Sequence, residues 1–257
     1  MILPPPRRVA SGSSFPASTV HDSRTLMLEE LSLLLAHLPP AEVTPDALRT
    51  LVLDENVLGK RTVRTRAASL KYLRRLYPLE ARLMHTALFR ELWQPPETRG
   101  SLALLLALSR DRLLTQSVPF VLPQPVGQVV KWPDLARLLR EDGARYSDKT
   151  LGSSARNLLS SWTQAGWLKG KARKQRIQPP MTAEVVTLAL LLGYRQGARG
   201  LALLETPQAQ VLDTSLETLD HLAFEASRRG WLTYRRIADV LEVTFPGLPE
   251  EGKGEDA

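Results

Sequence analysis

The sequence predicts a mainly α-helical protein in two domains, with short β-hairpins in its C-terminal half. Leucine is abundant, whereas only five phenylalanines and five tyrosines occur, and unbranched side chains such as leucine lose little rotamer freedom in a helix. Apolar residues make up 43% of the 257 positions, which is enough for most of the chain to fold. A chain of this length exceeds one small core, so we expect two compact domains.

Proline and cap residues divide the first half into segments with helical apolar spacing. Thr44-Pro45 is typical of a helix start, since threonine can cap the helix and proline fits its first turn. The predicted helices cover residues 26–38, 45–52, 62–77, 79–93 and 97–115. The last of these is apolar on almost every side, which indicates a buried central helix.

The proline-containing stretch Pro119–Pro125 is predicted to be the domain boundary. It separates a helical domain at residues 23–118 from a second domain at residues 126–245. Residues 1–22 are rich in proline, serine and glycine, so we expect a flexible arm there. Residues 246–257 are expected to form a short acidic tail.

No segment has the sequence of a membrane span or a secretory signal. The longest apolar run, Val185–Tyr194, is shorter than the roughly 18 residues that a span needs. The N-terminal residues lack a long apolar stretch after their charges. The chain has no cysteine, which fits a reducing compartment. We therefore expect a soluble, cytoplasmic protein.

Residues 132–178 contain the parts of a winged helix-turn-helix. A short helix at 133–140 is followed by a turn at Gly143–Tyr146, a longer helix at 147–164 that Ser147 can cap, and a basic hairpin at 168–177. Further helices are predicted at 182–194 and 215–229. A second hairpin is predicted at 231–245, turning near Ala238-Asp239.

The two faces of the predicted helix 147–164 differ in chemistry. An apolar face is formed by Leu151, Ala155, Leu158, Leu159 and Trp162. The opposite face carries side chains that can reach phosphates and base edges, and none is acidic. The candidate DNA contacts on this face are Lys149, Thr150, Ser153, Arg156 and Asn157, accompanied by Ser160 and Gln164.

The basic hairpin Leu168–Ile177, which we call the wing, carries five more candidate DNA contacts. These are Lys169, Lys171, Arg173, Lys174 and Arg176. From Gly143 to Ala183 there are eight basic residues against one acid, Asp148, whereas the whole chain has 34 against 27 and a net charge of +7. A hairpin of this charge could follow a phosphate backbone or enter a minor groove.

The predicted helix 62–77 is a second basic region. Seven basic residues and no acidic one occur between Asn56 and Leu79, whereas a solvated helix face normally mixes signs. Val63, Ala67, Leu70, Leu73 and Tyr77 are predicted to form its apolar stripe. The candidate contacts on another face, which we call the Arg-rich stripe, are Arg61, Arg64, Lys71 and Arg75. This stripe could line a groove or pair with acids of a partner protein.

Catalytic patterns are not found, and we expect no enzymatic activity, cofactor or metal. The histidines His21, His37, His85 and His221 are scattered, and His21 falls in the predicted arm. The segment Gly247–Lys253 matches only the first part of a phosphate-binding loop, since it carries two acids and no following helix. The carboxylates show no nuclease spacing for Mg²⁺.

Several short motifs together resemble those of the BrxA family, an accessory component of BREX bacteriophage-defence systems. The resemblance covers about residues 24–245 and rests on Leu73–Tyr77, Trp132, Ser147–Thr150, Arg156, Trp162–Leu168 and Arg229–Leu232. It implies a helical N-terminal domain similar to NusB-type antitermination proteins, a winged-helix C-terminal domain and double-stranded DNA binding without catalysis. It also implies a site-specific adenine methyltransferase, an ATPase and an alkaline-phosphatase-like protein as working partners.

Two other classes of protein fit the same residues. A winged-helix transcriptional regulator would use the same unit, and a palindromic operator with tight dimerisation would distinguish it. A protein–protein adaptor, or an RNA-binding protein, would use the basic faces differently. Weak salt sensitivity with nucleic acid would indicate the adaptor, and a preference for RNA over duplex DNA would indicate the RNA-binding protein.

Overall fold

The computed structural model describes residues 19–39, 43–141 and 146–246, which are predominantly helical with two small antiparallel sheets. The helices are α1 (Leu28–His37), α2 (Pro45–Arg49), α3 (Val63–Leu76), α4 (Ala87–Trp93), α5 (Arg99–Leu108), α6 (Arg112–Val121), α7 (Trp132–Glu141), α8 (Asp148–Ala165), α9 (Ala183–Arg195), α10 (Pro207–Gln210) and α11 (Leu216–Arg228). The strands are β1 (Val129–Val130), β2 (Leu168–Lys169), β3 (Lys174–Arg176), β4 (Thr233–Ile237) and β5 (Val240–Thr244). None of the described helices is long and apolar enough to cross a membrane.

The described residues form two compact units, the first ending at Pro180 and the second beginning at Met181. The predicted boundary at Pro119–Pro125 therefore lies inside the first unit, and Pro119 is part of α6. The first unit continues past the predicted boundary because α5, which precedes it, and α8, which follows it, pack backbone to backbone. A Cβ atom on Gly100 would lie 2.4 Å from the carbonyl oxygen of Gln164, so only glycine allows this approach.

Helix α5 is the centre of the first unit, as the sequence predicts, since every residue from Gly100 to Leu108 is buried. The predicted helix 97–115, however, is two helices. Asp111 begins the second one, because its Oδ1 accepts a hydrogen bond from the Leu114 amide at 2.9 Å. The predicted helix 79–93 is shortened in the same way, because Thr86 caps α4.

Strands β1, β2 and β3 form a small antiparallel sheet in the order β1-β3-β2. Lys169 is paired with Gln175 across the hairpin, and Val130 with Lys174 on the other side of β3. Along the chain, the elements follow the order α6, β1, α7, α8, β2, β3. The wing thus begins directly after the C-terminal end of α8 in the chain, and the sheet holds it in place.

The second unit is built on α9, which is buried along nearly its whole length. Strands β4 and β5 form the predicted hairpin, and they turn at Ala238-Asp239, where Ala238 has a φ of 49°. The Arg236 guanidinium on β4 forms two hydrogen bonds with the Asp220 carboxylate on α11, at 3.0 and 2.8 Å. This pair fastens the hairpin to the helix.

Several sequence predictions fall on residues outside the described ranges. These are residues 1–18 of the predicted arm, the acidic tail from residue 247 onward, the partial phosphate-loop pattern and residues 142–145, which include most of the predicted turn. The last residues of the predicted arm are described, and there the prediction is wrong. Val20 and His21 are buried in the first unit.

Candidate nucleic-acid interface

The start of α8 has the local structure that the sequence predicts. Ser147 is its N-cap and accepts a hydrogen bond from the Thr150 amide at 3.3 Å. Gly166 ends the helix with a φ of 95°, a left-handed conformation that glycine adopts without steric cost. Helices α7 and α8 pack against each other. The cap and the glycine thus fix where α8 begins and ends.

The apolar face of α8 is buried, as predicted. Leu151, Ala155, Leu158, Leu159 and Trp162 are each at most 2% exposed. The Trp162 indole N–H donates to Ser117 Oγ at 2.8 Å. This bond joins α8 to α6. The opposite, polar face of α8 is the one that could contact a ligand.

The N-terminal half of the polar face of α8 is accessible. Lys149 and Arg156 are exposed, and Thr150 and Ser153 are half-buried. The Arg156 guanidinium lies 3.9 Å from the ring centroid of Trp132 on α7. Stacking on an aromatic ring holds the planar guanidinium in place, which favours the bidentate contacts that arginine makes with guanine or phosphate.

The C-terminal half of that face is covered by another part of the chain. The Asn157 amide donates to the His21 carbonyl at 3.1 Å. Gln164 accepts from the Leu28 amide at 3.3 Å and donates to Thr25 Oγ1 at 3.1 Å. The sequence predicts that Asn157 contacts DNA. The structure does not fit this prediction, because the Asn157 side chain already forms a hydrogen bond within the protein.

The wing divides into exposed and buried cations. Lys169, Lys171 and Arg173 are exposed. Lys174 is half-buried, its Nζ donates to Thr163 Oγ1 at 3.0 Å, and burial lowers its pKa. Arg176 is only 1% exposed, and its guanidinium donates to the carbonyls of Trp167 and Ile177. Arg176 is therefore part of the core and not of the candidate interface.

The Arg-rich stripe on α3 is solvent-exposed as predicted. Arg61, Arg64, Lys71 and Arg75 are all exposed, and none forms an ion pair with another described residue. The other basic residues of this region are used within the fold. Lys60 pairs with Glu30 at 2.8 Å, Arg74 pairs with Glu80 at 2.7 Å, and Arg66 donates to backbone carbonyls.

The predicted apolar stripe of α3 is correct only in its second half. Leu70, Leu73 and Tyr77 are buried, whereas Val63 is 63% exposed and Ala67 is exposed. The first turn of α3 therefore does not bury an apolar side chain, and it contacts the unit through the bond from Arg66 to the Leu53 carbonyl. Its capping box, formed by Thr62 and Thr65, stabilises it locally instead.

A buried cluster at His21 was not predicted from the sequence. The His21 ring has Nε2 2.9 Å from Ser161 Oγ and Nδ1 3.0 Å from Asp111 Oδ2. His21, Asp111 and Ser161 are all fully or almost fully buried. These distances resemble those of a Ser-His-Asp triad.

The hydrogen-bond directions in this cluster differ from those of a nucleophile. The Ser161 hydroxyl donates to the Asn157 carbonyl at 2.9 Å, so the ring nitrogen must donate to the serine oxygen. The carboxylate of Asp111 can only accept, so both ring nitrogens of His21 face acceptors. We interpret the cluster as a structural ion pair that holds residues 20–21 onto α6 and α8.

The pKa of the Asp111 carboxyl lies below its ordinary value. Burial opposes ionisation, but the positive charge of His21 and the amides of Val20 and Leu114 together outweigh that penalty. The only sequence signal for this cluster was that Asp111 is a plausible N-cap. Its second role, the contact with His21, depends on a residue 90 positions away.

Within the described ranges, no group of three or more His, Cys, Asp or Glu residues could hold a metal ion. No protein-family model matches the sequence, and no curated protein matches it.

Proposed function

We propose that this protein binds double-stranded DNA through α7, α8 and the wing, without catalysing a reaction. The order α6, β1, α7, α8, β2, β3 and the sheet order β1-β3-β2 support a winged helix-turn-helix. In helix-turn-helix proteins the second helix lies in the major groove, with its N-terminal residues against the bases. That is the half of α8 which is accessible here.

The observation that carries the proposal is the concentration of exposed positive charge on this unit. On α8 and the wing, the exposed cations are Lys149, Arg156, Lys169, Lys171 and Arg173. The one acid nearby within the described residues of α8 and the wing, Asp148, forms an ion pair with Arg140 on α7. Five such cations can neutralise about five phosphates, so α8 and the wing should contribute about −4.5 to the slope of log affinity against log salt concentration.

We further propose that the protein is an accessory component of a BREX-type phage-defence system in the cytoplasm. This step is supported by the resemblance to the BrxA family and not by the geometry. The adenine methyltransferase, the ATPase and the alkaline-phosphatase-like protein of such a system are its proposed partners. The NusB-like character of the helices before α6 is part of the same proposal.

The test is fluorescence anisotropy with a duplex of about 30 base pairs at several salt concentrations. The test variant replaces Lys169, Lys171 and Arg173 with alanine. Its matched control replaces Arg49, Arg82 and Arg228, which are also exposed, and loses the same charge. Lys174 and Arg176 are kept because their side chains contact the fold.

We expect the wing variant to reduce the salt slope by about 2–3 and the control to leave it nearly unchanged. If the wild-type protein does not bind duplex DNA even at low salt, the proposal is wrong, and the basic surface belongs to a protein partner. Tighter binding of single-stranded or duplex RNA would replace it with the RNA-binding alternative. A steep preference for one palindrome, bound by a dimer, would indicate a transcriptional regulator.

A further inference from the structure

We propose that the wing and the Arg-rich stripe of α3 belong to one continuous duplex-binding surface, and that Arg24 joins them. This inference rests on the proposed DNA binding and extends it to residues that the helix-turn-helix unit does not contain. It concerns the segment Val20–Leu28, which we call the bridging segment.

The bridging segment is fixed to α8 along one side. His21 contacts Ser161 and Asp111 at its first end, and Gln164 bonds to Thr25 and Leu28 further along. The His21 contacts are buried, so breaking them would leave polar atoms without a partner, which is costly; the Gln164 bonds are exposed and fix the path of the segment more weakly. The segment therefore has a defined path across α8.

The same segment is fixed to α3 along its other side. The Tyr77 hydroxyl donates to the Leu26 carbonyl at 2.5 Å, and burial raises the pKa of this phenol, so it remains a donor. The Arg24 guanidinium lies 5.0 Å from the ring centroid of Tyr72 on α3. The bridging segment thus lies between α8 and α3 and contacts both.

A chain of contacts connects the wing to the Arg-rich stripe. Each link is either a side-chain contact or a pair of residues that are adjacent in the sequence. Lys174 on the wing contacts Thr163 on α8 at 3.0 Å. The next residue, Gln164, contacts Thr25 at 3.1 Å. The residue before Thr25 is Arg24, which reaches Tyr72, and Lys71 precedes Tyr72 on α3.

This path runs along the surface of the first unit. On this path Gln164, Arg24 and Lys71 are exposed, and Thr163, Thr25 and Tyr72 are half-buried, so a ligand lying on the wing can continue over the bridging segment to α3. The one acid of the bridging segment, Asp22, is half-buried, and Glu29 in the first turn of α1 is exposed. The acids Glu30 and Glu80 beside α3 are paired with Lys60 and Arg74, which leaves the stripe itself positive.

The length of the Arg-rich stripe corresponds to several base pairs of a DNA duplex. Arg64 and Arg75 are eleven residues apart on α3, or ~16 Å at about 1.5 Å per residue. That distance corresponds to about five base pairs at roughly 3.4 Å each. A duplex that covers the wing and the stripe must therefore be longer than one that a helix-turn-helix unit alone would contact.

The experiment measures the salt slope and the stoichiometry of binding to a duplex of about 20 base pairs. The variants are Arg24→Ala, Arg24→Lys, the four-residue alanine variant of the Arg-rich stripe, and Arg228→Ala as a control on the second unit. Thermal unfolding of each variant is measured beside the wild-type protein, since Arg24 makes few contacts and its loss should leave the midpoint unchanged.

One continuous surface predicts one duplex per protein and a slope reduced by about 1 in Arg24→Ala. By the same relation, the affinity of Arg24→Ala should fall threefold to fourfold less than that of the wild-type protein when salt rises from 50 to 200 mM. Arg24→Lys should retain the wild-type slope because it keeps the charge, and the stripe variant should reduce the slope by about 3–4. Arg228→Ala should have no effect.

Three results would overturn the inference while leaving DNA binding intact. They are two duplexes bound per protein, an unchanged slope in Arg24→Ala and in the stripe variant, or an Arg24→Lys variant as weak as Arg24→Ala. The last would mean that Arg24 acts through its contact with Tyr72 and not through its charge. A wild-type protein that binds no duplex would overturn both the inference and the proposed function.

Discussion

Replacing Asp111 with alanine should strongly destabilise the first unit, because this side chain fixes the start of the bridging segment to α6. The Asp111 carboxylate is fully buried. It caps α6 through the Leu114 amide at 2.9 Å, accepts the Val20 amide at 2.5 Å, and pairs with the His21 ring at 3.0 Å. One side chain thus contacts a helix end, the turn that begins at Val20 and a buried ring at once.

The size of the effect follows from these contacts. Loss of an N-cap costs about 1 kcal/mol, and removing one partner of a buried ion pair costs about 3–5 kcal/mol, since the other charge is left uncompensated. The two costs overlap, so we expect a loss of about 3–5 kcal/mol in the free energy of unfolding. Domains of this kind have only about 5–15 kcal/mol in total.

Urea unfolding followed by tryptophan fluorescence measures this loss. Four of the five tryptophans lie in the first unit, so the signal reports mainly on that unit. A double-mutant cycle with His21→Ala isolates the pair, and the double variant should be about 1–3 kcal/mol more stable than the sum of the single losses predicts. Strict additivity would mean that the two side chains do not interact, which would refute the reasoning.

The same pair predicts an acid dependence. The folded-state pKa of Asp111 is lowered, so its ionised form contributes stability above the pKa of the unfolded chain, about 3.9. That contribution is lost as the pH falls through the lower, folded-state pKa. The difference in unfolding free energy between the wild type and Asp111→Asn should therefore shrink below about pH 4. A difference that grows in that range would contradict the sign.

Three further predictions concern packing and the wing. Gly100→Ala should lower the thermal midpoint by several degrees, because its Cβ would clash with the backbone of α8 at the Gln164 carbonyl; an unchanged midpoint would show that the helices separate freely. Gly170→Ala should weaken duplex binding and destabilise the wing by more than about 1 kcal/mol, because Gly170 has a φ of 99° and a Cβ would meet the Arg173 carbonyl, so the wing must change shape; equal binding by both proteins would argue against a role for the wing. Asp220→Ala should destabilise the second unit by about 1–3 kcal/mol, since it leaves Arg236 and the Tyr234 hydroxyl without their shared acceptor; this is measured by hydrogen exchange of β4 and β5, and unchanged protection would contradict it.

Much of the local structure was predictable from the sequence, because it is set by neighbours along the chain. The cap at Ser147, the turn at Ala238-Asp239 and the exposed Arg-rich stripe agree with the prediction. The split of the predicted helix 97–115 at Asp111 was missed although a capping residue was present. Apolar periodicity continued across the break, and it outweighed the weaker signal of one cap.

The candidate site was predicted less completely than the helices that carry it. Arg156 and Lys149 are exposed where expected, but Asn157 and Arg176 are used within the fold. Composition and helical spacing show that a side chain is polar and on which face it lies. They do not show whether another part of the chain covers that face.

The sequence by itself determined which segments form helices, where several of them begin and end, and where positive charge is concentrated. Only the tertiary structure decided which of those charges are free to meet a polyanion. Asn157 contacts His21 across 136 positions of the chain, and Gln164 contacts Thr25 across 139. Contacts at such separations depend on how the helices pack in space, and no periodicity along the chain encodes them.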